Sequence, residues 1–181
     1  MTDQEIIREV KGGNIDAYTE FVKRHESRVA ATVYGMLGNC AEAEDVGQET
    51  FIRFYKNIGN FRGDADPLTY LTRIAINLSL NEIKRRKRSR LTSIHKAGDE
   101  VLQIEDTDVR QFDDTGEVVQ NAINRLNAKY RSVVVLRMIE GHTTVQTAEI
   151  LQIPVGTVLS RLARAQDKLK KILQPYQGEL I

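Results

Sequence analysis

TTVQTAEILQIPVGTVLSRLARAQDKL, residues 143–169, is the stretch on which the fold turns. Residues 144–151 form a short helix, and the Gln152-Ile153-Pro154 run breaks it, because proline lacks a backbone donor and restricts the residue before it. A longer helix begins near Val155 and sends Val158, Leu162, Ala165, Leu169 and Ile172 inward at steps of three and four. That is helix-turn-helix spacing. In such a unit the first residues of the second helix can meet base edges, since the major groove admits a helix and a helix N-terminus favours phosphate. The outward positions include Thr157, Ser160, Arg161, Ala163 and Arg164. An ordinary helical hairpin with solvated arginines has the same periodicity, so the stretch alone leaves both readings open.

Working outward, the helical signal continues. Val119, Ala122, Ile123 and Leu126 form one apolar set, and Val133, Val134, Leu136 and Ile139 another before Gly141. At the other end, Thr2 and Glu5 make a capping-box pattern ahead of Ile6, Ile7 and Val10, and Gly12-Gly13 supplies a stop. A second helix from Asn14 to Gly38 turns Tyr18, Phe21, Val22, His25, Val29, Val33 and Leu37 inward. A third, from Ala41 to Ile58, does so with Val46, Phe51, Phe54, Tyr55 and Ile58. After a Gly/Pro loop at residues 60–67, a fourth runs from Leu68 to Arg88 and buries Leu68, Leu71, Ala75 and Leu78. From Leu91 to Gly116 periodicity fades and acids accumulate, which reads as a mobile linker. The expected fold is all-α: two small helical domains, residues 1–91 and 116–181, joined by a flexible acidic linker over 92–115.

Composition fits a folded chain: 41% hydrophobic and 28% charged, with no tryptophan and three prolines in 181 residues. The net charge of +1 hides segregation, at +2 over residues 1–90, -5 over 91–116 and +4 over 117–181. One cysteine, Cys40, excludes an internal disulfide and a cysteine-based zinc site. With no signal peptide and no apolar run of roughly 18 residues, the expectation is a cytoplasmic protein without membrane insertion. Chemistry is poorly represented. His25 reads as a packed core histidine, His95 falls in the linker, and His142 follows a helix-ending glycine; none has a second ligand at metal spacing. With no phosphate-binding glycine motif, no cofactor, metal or catalytic residue is expected.

Nucleic acid is better represented. The run KRRKRSR, residues 84–90, puts six cations at the end of the fourth helix, where the helix dipole alone would also favour them. The same helix carries Tyr70, Arg73, Asn77 and Asn81, a mixture of ring, cation and amide suited to bases and phosphates.

Taken together, the two ends resemble a known family. AEAEDVGQETFIRFYKNIGNFRGDADPLTYLTRIAINLSLNEIKRRKR is similar to region two of bacterial RNA polymerase sigma factors, and LNAKYRSVVVLRMIEGHTTVQTAEILQIPVGTVLSRLARAQDKL to region four. Regions one and three have no counterpart, as in the compact extracytoplasmic-function group. The resemblance implies a non-enzymatic subunit that binds core RNA polymerase, recognises the -10 and -35 elements of promoter DNA and promotes melting. An anti-sigma factor is a further implied partner. It matches Asp45, Gln48 and Glu49, with Phe51 and Phe54 behind them, to the polymerase-binding face. Asn60, Phe61, Arg62, Gly63 and Asp64 match the loop that captures an extruded -10 base. Tyr70, Arg73, Asn77 and Asn81 match the helix that reads that element, with Lys84, Arg85 and Arg88 beyond. Thr157, Ser160, Arg161 and Arg164 match the -35 reading positions. The chain departs from the pattern at Gly47, Tyr70, Asn81 and Asn127, and more consequentially at Leu159, where a basic residue is frequent, Ala163, where a larger side chain is frequent, and Gln152, where glycine is common.

Two rivals remain at this stage: a regulator that binds DNA without polymerase, and a pure interaction module. Length bears on the first. Two duplex turns span roughly 70 Å at about 34 Å each, whereas a free coil of the linker's length averages about 30 Å. The chain by itself therefore cannot set the spacing of two promoter elements.

Overall fold

The structure, a computed structural model, describes residues 1–63, 65–96 and 115–176. Asp64 and residues 97–114, most of the expected linker, lie outside the described residues. Helices account for nearly all of what is described. α1 is Asp3–Lys11, α2 Ile15–Leu37, α3 Ala41–Asn57 and α4 Pro67–Lys96. α5 follows at Thr115–Asn124, then α6 at Ala128–Val134, α7 at Thr144–Leu151 and α8 at Val155–Leu173.

Local chemistry sets these ends. The Thr2 amide donates to Glu5 Oε2 at 2.6 Å and the Glu5 amide to Thr2 Oγ1 at 3.3 Å, a reciprocal capping box that satisfies two orphan donors of α1. Those bonds to Thr2 hold the Glu5 carboxyl below its ordinary pKa. Asn14 caps α2 by accepting from the Ala17 amide at 3.2 Å. α4 starts with proline at its first position, where a missing amide hydrogen costs nothing. It ends at Lys96, eight residues later than the sequence reading has it. The cations of residues 84–90 thus stand inside the helix, not on its last turn, and the dipole loses force as their explanation.

The N-terminal unit is organised by aromatic rings. Phe21 of α2 and Phe54 of α3 are fully buried and stacked at 4.9 Å with their planes 14° apart. Phe54 also meets Phe61 and Tyr70 at 5.9 Å each, so the ladder ties α2, α3, the loop and α4 together. The Tyr18 hydroxyl donates to the Phe51 carbonyl at 2.6 Å, and burial raises its pKa, which keeps it a donor. His25 is buried against Phe21 with Nε2 2.8 Å from Asp3 Oδ2, a core histidine as the sequence suggests.

In the C-terminal unit, the run from Arg131 through Leu136, which ends α6 and enters the turn after it, is buried on every side. A helix buried all round needs partners on opposite faces. Val133 packs with Ala148 and Val158 of the helix-turn-helix. On the opposite side Val135 meets α2 of the N-terminal unit. α6 continues as one π-helical turn, Val135–Ile139, closed by a Glu140 amide bond to the Val135 carbonyl at 2.9 Å. α7 opens on a second capping box, Thr143 with Gln146, and ends at Gln152 in the left-handed region (φ 53°). This is the position where glycine would sit without strain. Three expected core positions are displaced: Tyr55, Val119 and Ile139 are exposed, and Val118 takes the inward place beside Ala122 and Ile123. Each lies at the edge of an apolar stripe, where a shift of one residue rotates a side chain out by 100°.

The two units share one hydrophobic core, from Phe21 and Phe54 to Val135 and Leu136. Gly35, inside α2, allows it: a Cβ there would stand 2.9 Å from Val135 Cγ1 and 3.1 Å from Cγ2. The last carbonyls of α2, which have no intrahelical partner, are taken by the other unit. Gln120 Nε2 donates to the Gly35 carbonyl at 3.3 Å and Arg131 to the Met36 carbonyl at 2.7 Å. Arg131 also donates to the Leu126 carbonyl at 3.1 Å and to that of Asn124. Burial, then repulsion from Arg86, lowers its pKa to about 10, still charged at neutral pH.

Candidate nucleic-acid and polymerase surfaces

α3 presents Asp45 and Gln48 to solvent, with Glu49 half-buried and held by Arg53 Nε at 2.8 Å. Phe51 is half-buried behind them and Phe54 is fully buried, so Phe54 supports this face without touching anything beyond the chain. The sequence reading misses Ile52 and Tyr55, which are 46% and 41% exposed on the same helix. Ile52 lies one turn beyond Gln48, so the surface is mixed, acidic and apolar. Of the two, Tyr55 is expected in the core from the sequence, and Ile52 falls outside the inward set read there.

The loop and α4 carry the second set. Asn60, Arg62 and Gly63 are exposed, while Phe61 is buried against Phe54 and Tyr70, its carbonyl accepting from Lys11 Nζ at 2.6 Å. Tyr70 is half-buried. Asn77 and Asn81 are exposed one turn apart. Of the basic residues, Lys84, Arg85 and Arg88 are exposed, but Arg85 makes a fork-like pair with Glu82 at 2.7 and 2.9 Å. Arg86 turns away from this face, to Glu82 at 2.9 Å, Glu42 at 3.3 Å and Cys40 Sγ at 3.0 Å. The hydrogen bonds from Arg85 and Arg86 hold the Glu82 carboxyl below its ordinary pKa, so it remains an anion inside the basic run. Part of the positive charge counted in the sequence is therefore spent locally.

On α8, Ser160 and Arg164 are exposed and Thr157 and Arg161 half-buried. Ser160 Oγ donates to the Thr157 carbonyl at 3.1 Å. Beneath Arg164 lies Tyr130, with Lys129 and Lys168 ammonium groups 5.0 and 5.9 Å from its ring. A hydrogen bond with Arg164 is the largest cause lowering the phenol's pKa. This cationic cluster escapes a sequence reading because its members come from two helices. At the entry to α7, buried His142 sits 3.2 Å from Glu140, and Arg137 donates to the His142 carbonyl.

One contact joins the second and third sets. Arg73 of α4 donates to the Glu149 carbonyl at the end of α7, at 3.1 Å, across the closed interface. In this arrangement the first helix of the helix-turn-helix covers the arginine expected to face the -10 element. Among the described residues, no three His, Cys, Asp or Glu side chains gather as a metal ion would require, and no helix is long and apolar enough to cross a membrane.

Comparison with known proteins places this geometry. The pattern of sigma-70 region 2 matches residues 21–89 and that of sigma-70 region 4 matches residues 116–169. The chain is 37% identical over 177 residues to the ECF RNA polymerase sigma factor SigW of Bacillus subtilis, covering 93% of this chain and 95% of the relative. It is 34% identical over 186 residues to the RNA polymerase sigma-H factor of Pseudomonas aeruginosa, covering 98% and 96%. Among solved structures it resembles CnrH in complex with the cytosolic domain of CnrY, with a TM-score of 0.69 at 22% identity, covering 96% of this chain and 97% of that one. It also resembles the sigma factor RpoE in complex with the anti-sigma factor NepR from Bartonella quintana, with a TM-score of 0.67 at 20% identity, covering 87% and 96%. These two likenesses concern the fold.

Proposed function

The chain belongs to the extracytoplasmic-function sigma factors of the sigma-70 family, and from that premise we propose which of its surfaces do which part of the work. As a sigma factor it binds core RNA polymerase, recognises the -10 and -35 promoter elements and promotes melting and initiation, in a family whose members act without catalysing a reaction. Residues 1–91 form the polymerase- and -10-binding domain and residues 116–181 the -35-binding domain, with 92–115 between them, in the cytoplasm. An anti-sigma factor, the partner in the solved RpoE–NepR complex, is a partner class for this chain too.

On the first domain, Asp45, Gln48 and Glu49 engage the polymerase, with Ile52 adding apolar contact, supported by the exposure of Asp45, Gln48 and Ile52 and the half-exposed Glu49 beside them on α3. The observation that carries the -10 assignment is the exposed amide pair Asn77 and Asn81, one turn apart and followed by Lys84. Amides read and stabilise unstacked bases, whose extrusion costs a few kcal/mol, and the cations hold the backbone. Phe61 and Tyr70 supply the ring wall beside them, and Asn60, Arg62, Gly63 and Asp64 the loop. Thr157, Ser160, Arg161 and Arg164 face the -35 element. Because α7 covers Arg73 in the closed arrangement, promoter binding requires α7 to leave α4. Polymerase holds the domains apart, as the reach of the connecting segment also demands.

Run-off transcription with core polymerase tests the first contact. The Asp45→Ala, Gln48→Ala, Glu49→Ala triple variant is expected to lose most initiation and to compete poorly for core, and unchanged initiation would remove this face from the interface. For the second, permanganate footprinting of Asn77→Ala, Asn81→Ala holoenzyme is expected to show reduced melting with duplex retained at the -35 side. Equal melting would reassign the two amides to solvent.

A further inference from the structure

The outer face of α8 has a feature that charged or hydrogen-bonding readout does not use. Val155 and Leu159, one turn apart, are 42% and 54% exposed, and Ala163, a further turn on, is exposed too. Three apolar side chains thus form a stripe along the solvent face of the second helix of a helix-turn-helix. Their inward counterparts are different residues: Val158 and Ala165 are fully buried and Leu162 packs on the domain core. The stripe is therefore surplus to the fold.

Its surroundings point to one occupant. Arg164, Lys168 and Lys129 gather around Tyr130 at the flank of the helix, and no acid closes an ion pair with them among the described residues' salt bridges. That cationic margin suits a phosphate backbone running alongside. Ser160, between the stripe and that margin, already donates its hydroxyl to the Thr157 carbonyl at 3.1 Å, which leaves it an acceptor towards anything outside. A major groove lying on this face would meet few donors and much hydrocarbon at the N-terminal half of the helix. The only alkyl group that a major-groove base edge offers is the thymine C5-methyl group.

We propose that Leu159, with Val155 and Ala163 beside it, reads thymine methyl groups in the -35 element, so that this sigma factor selects A·T pairs at one or two positions by apolar contact. The inference rests on the assignment of α8 to the -35 element and adds to it the chemical group recognised. Leu159 carries the contact, being the longest and most exposed of the three; Ala163 leaves room for the methyl where a larger side chain would fill the groove.

The test uses the full chain assembled with core polymerase and a promoter whose -35 element is first mapped by single base-pair substitution. Each thymine on either strand is then replaced by deoxyuridine, which removes the methyl group and leaves every hydrogen-bonding edge in place. Wild-type holoenzyme is expected to bind about fourfold more weakly for each methyl lost from contact, the worth of one buried apolar carbon. Leu159→Ala holoenzyme is expected to bind thymine and deoxyuridine promoters equally, and Leu159→Met to restore much of the difference. Leu159 is exposed and alanine is the better helix former, so the variant keeps its fold, checked by its circular dichroism. Equal wild-type binding of thymine and deoxyuridine promoters, with base-pair preferences still present, would overturn the methyl readout while leaving α8 on the -35 element. Indifference to every -35 substitution would overturn both. If Leu159→Ala lowers assembly with core and leaves the thymine-to-deoxyuridine ratio intact, the stripe is a polymerase contact and the proposal fails.

Discussion

Phe54→Ala is expected to cost this protein about 3–5 kcal/mol of stability, the range for removing a fully buried aromatic ring. The ring is wholly inaccessible and meets three others, 4.9 Å from Phe21 and 5.9 Å from both Phe61 and Tyr70, and Tyr18 extends the ladder by stacking on Phe21 at 6.0 Å. Collapse around the cavity is restricted, because neighbours on two other helices and the loop would each have to move inward together. Both surfaces of the first domain share this ladder. Phe54 lies behind the proposed polymerase face of α3 and under Phe61 and Tyr70 of the proposed -10 face, so the variant is expected to weaken core binding and melting in parallel. Phe54→Leu separates area from ring geometry: it keeps most of the apolar contact and forfeits the aromatic pairing, worth about 0.5–1.5 kcal/mol per pair. Urea denaturation of the full chain measures both variants. A loss below about 1 kcal/mol for Phe54→Ala would mean that the ladder is not the framework of the domain.

The helices of this chain were legible from its sequence wherever one apolar stripe faced one core. The cap at Thr2, the helix start at Asn14, the breakers at Gly38 and Pro154 and the inward positions of α8 all follow from local chemistry and a 3.6-residue period. What was not legible depends on contacts between distant segments. Nothing in KYRSVVVL distinguishes a helix covered on one side from one covered on both, yet Arg131 through Leu136 are all buried because α2 and the helix-turn-helix press on opposite faces. The length of α4 was hidden for a related reason: polar and charged residues beyond Arg88 extend a helix without leaving an apolar period to detect. Candidate site residues were legible as residue types, and their state was not. Phe61 reads as a base-capturing ring and lies buried, Arg85 reads as a phosphate contact and is paired to Glu82, and Arg73 is covered by α7. Each of these is set by a partner 3 to 76 residues away along the chain, beyond the reach of a periodicity argument for the longest of them.

Gly35→Leu is expected to open the molecule. The first side-chain carbon at this position would already stand 2.9 and 3.1 Å from the two Val135 methyl groups, and leucine adds three more carbons in the same direction. Valine is stiff about its χ1 torsion, and Val135 is itself fully buried, so α6 cannot absorb the bulk by a rotamer change. Overpacking of this kind costs about 1–3 kcal/mol, and separating the domains avoids it at the expense of the Gln120 and Arg131 bonds to the end of α2 and of the apolar contacts that the two units share. In the separated form leucine is favourable, because it replaces an interior helix glycine whose own cost is about 1 kcal/mol. The substitution therefore penalises the closed state and stabilises α2 in the open one. Small-angle scattering is expected to show a radius of gyration well above the about 16 Å of a compact chain of this length, with helical content unchanged. Gly35→Ala combined with Val135→Ala forms the control, since alanine at 135 removes both methyl groups that the new carbon meets. A coupling of about 0.5–3 kcal/mol between the two sites is expected. Because the proposed function has α7 leave Arg73 for promoter binding while polymerase holds the domains apart, the leucine variant is expected to assemble with core at least as fast as the wild type. A Gly35→Leu chain that stays compact would show that the two domains are not held together at Gly35 and Val135, and slower assembly from an open chain would show that release of α7 is not the step that limits loading.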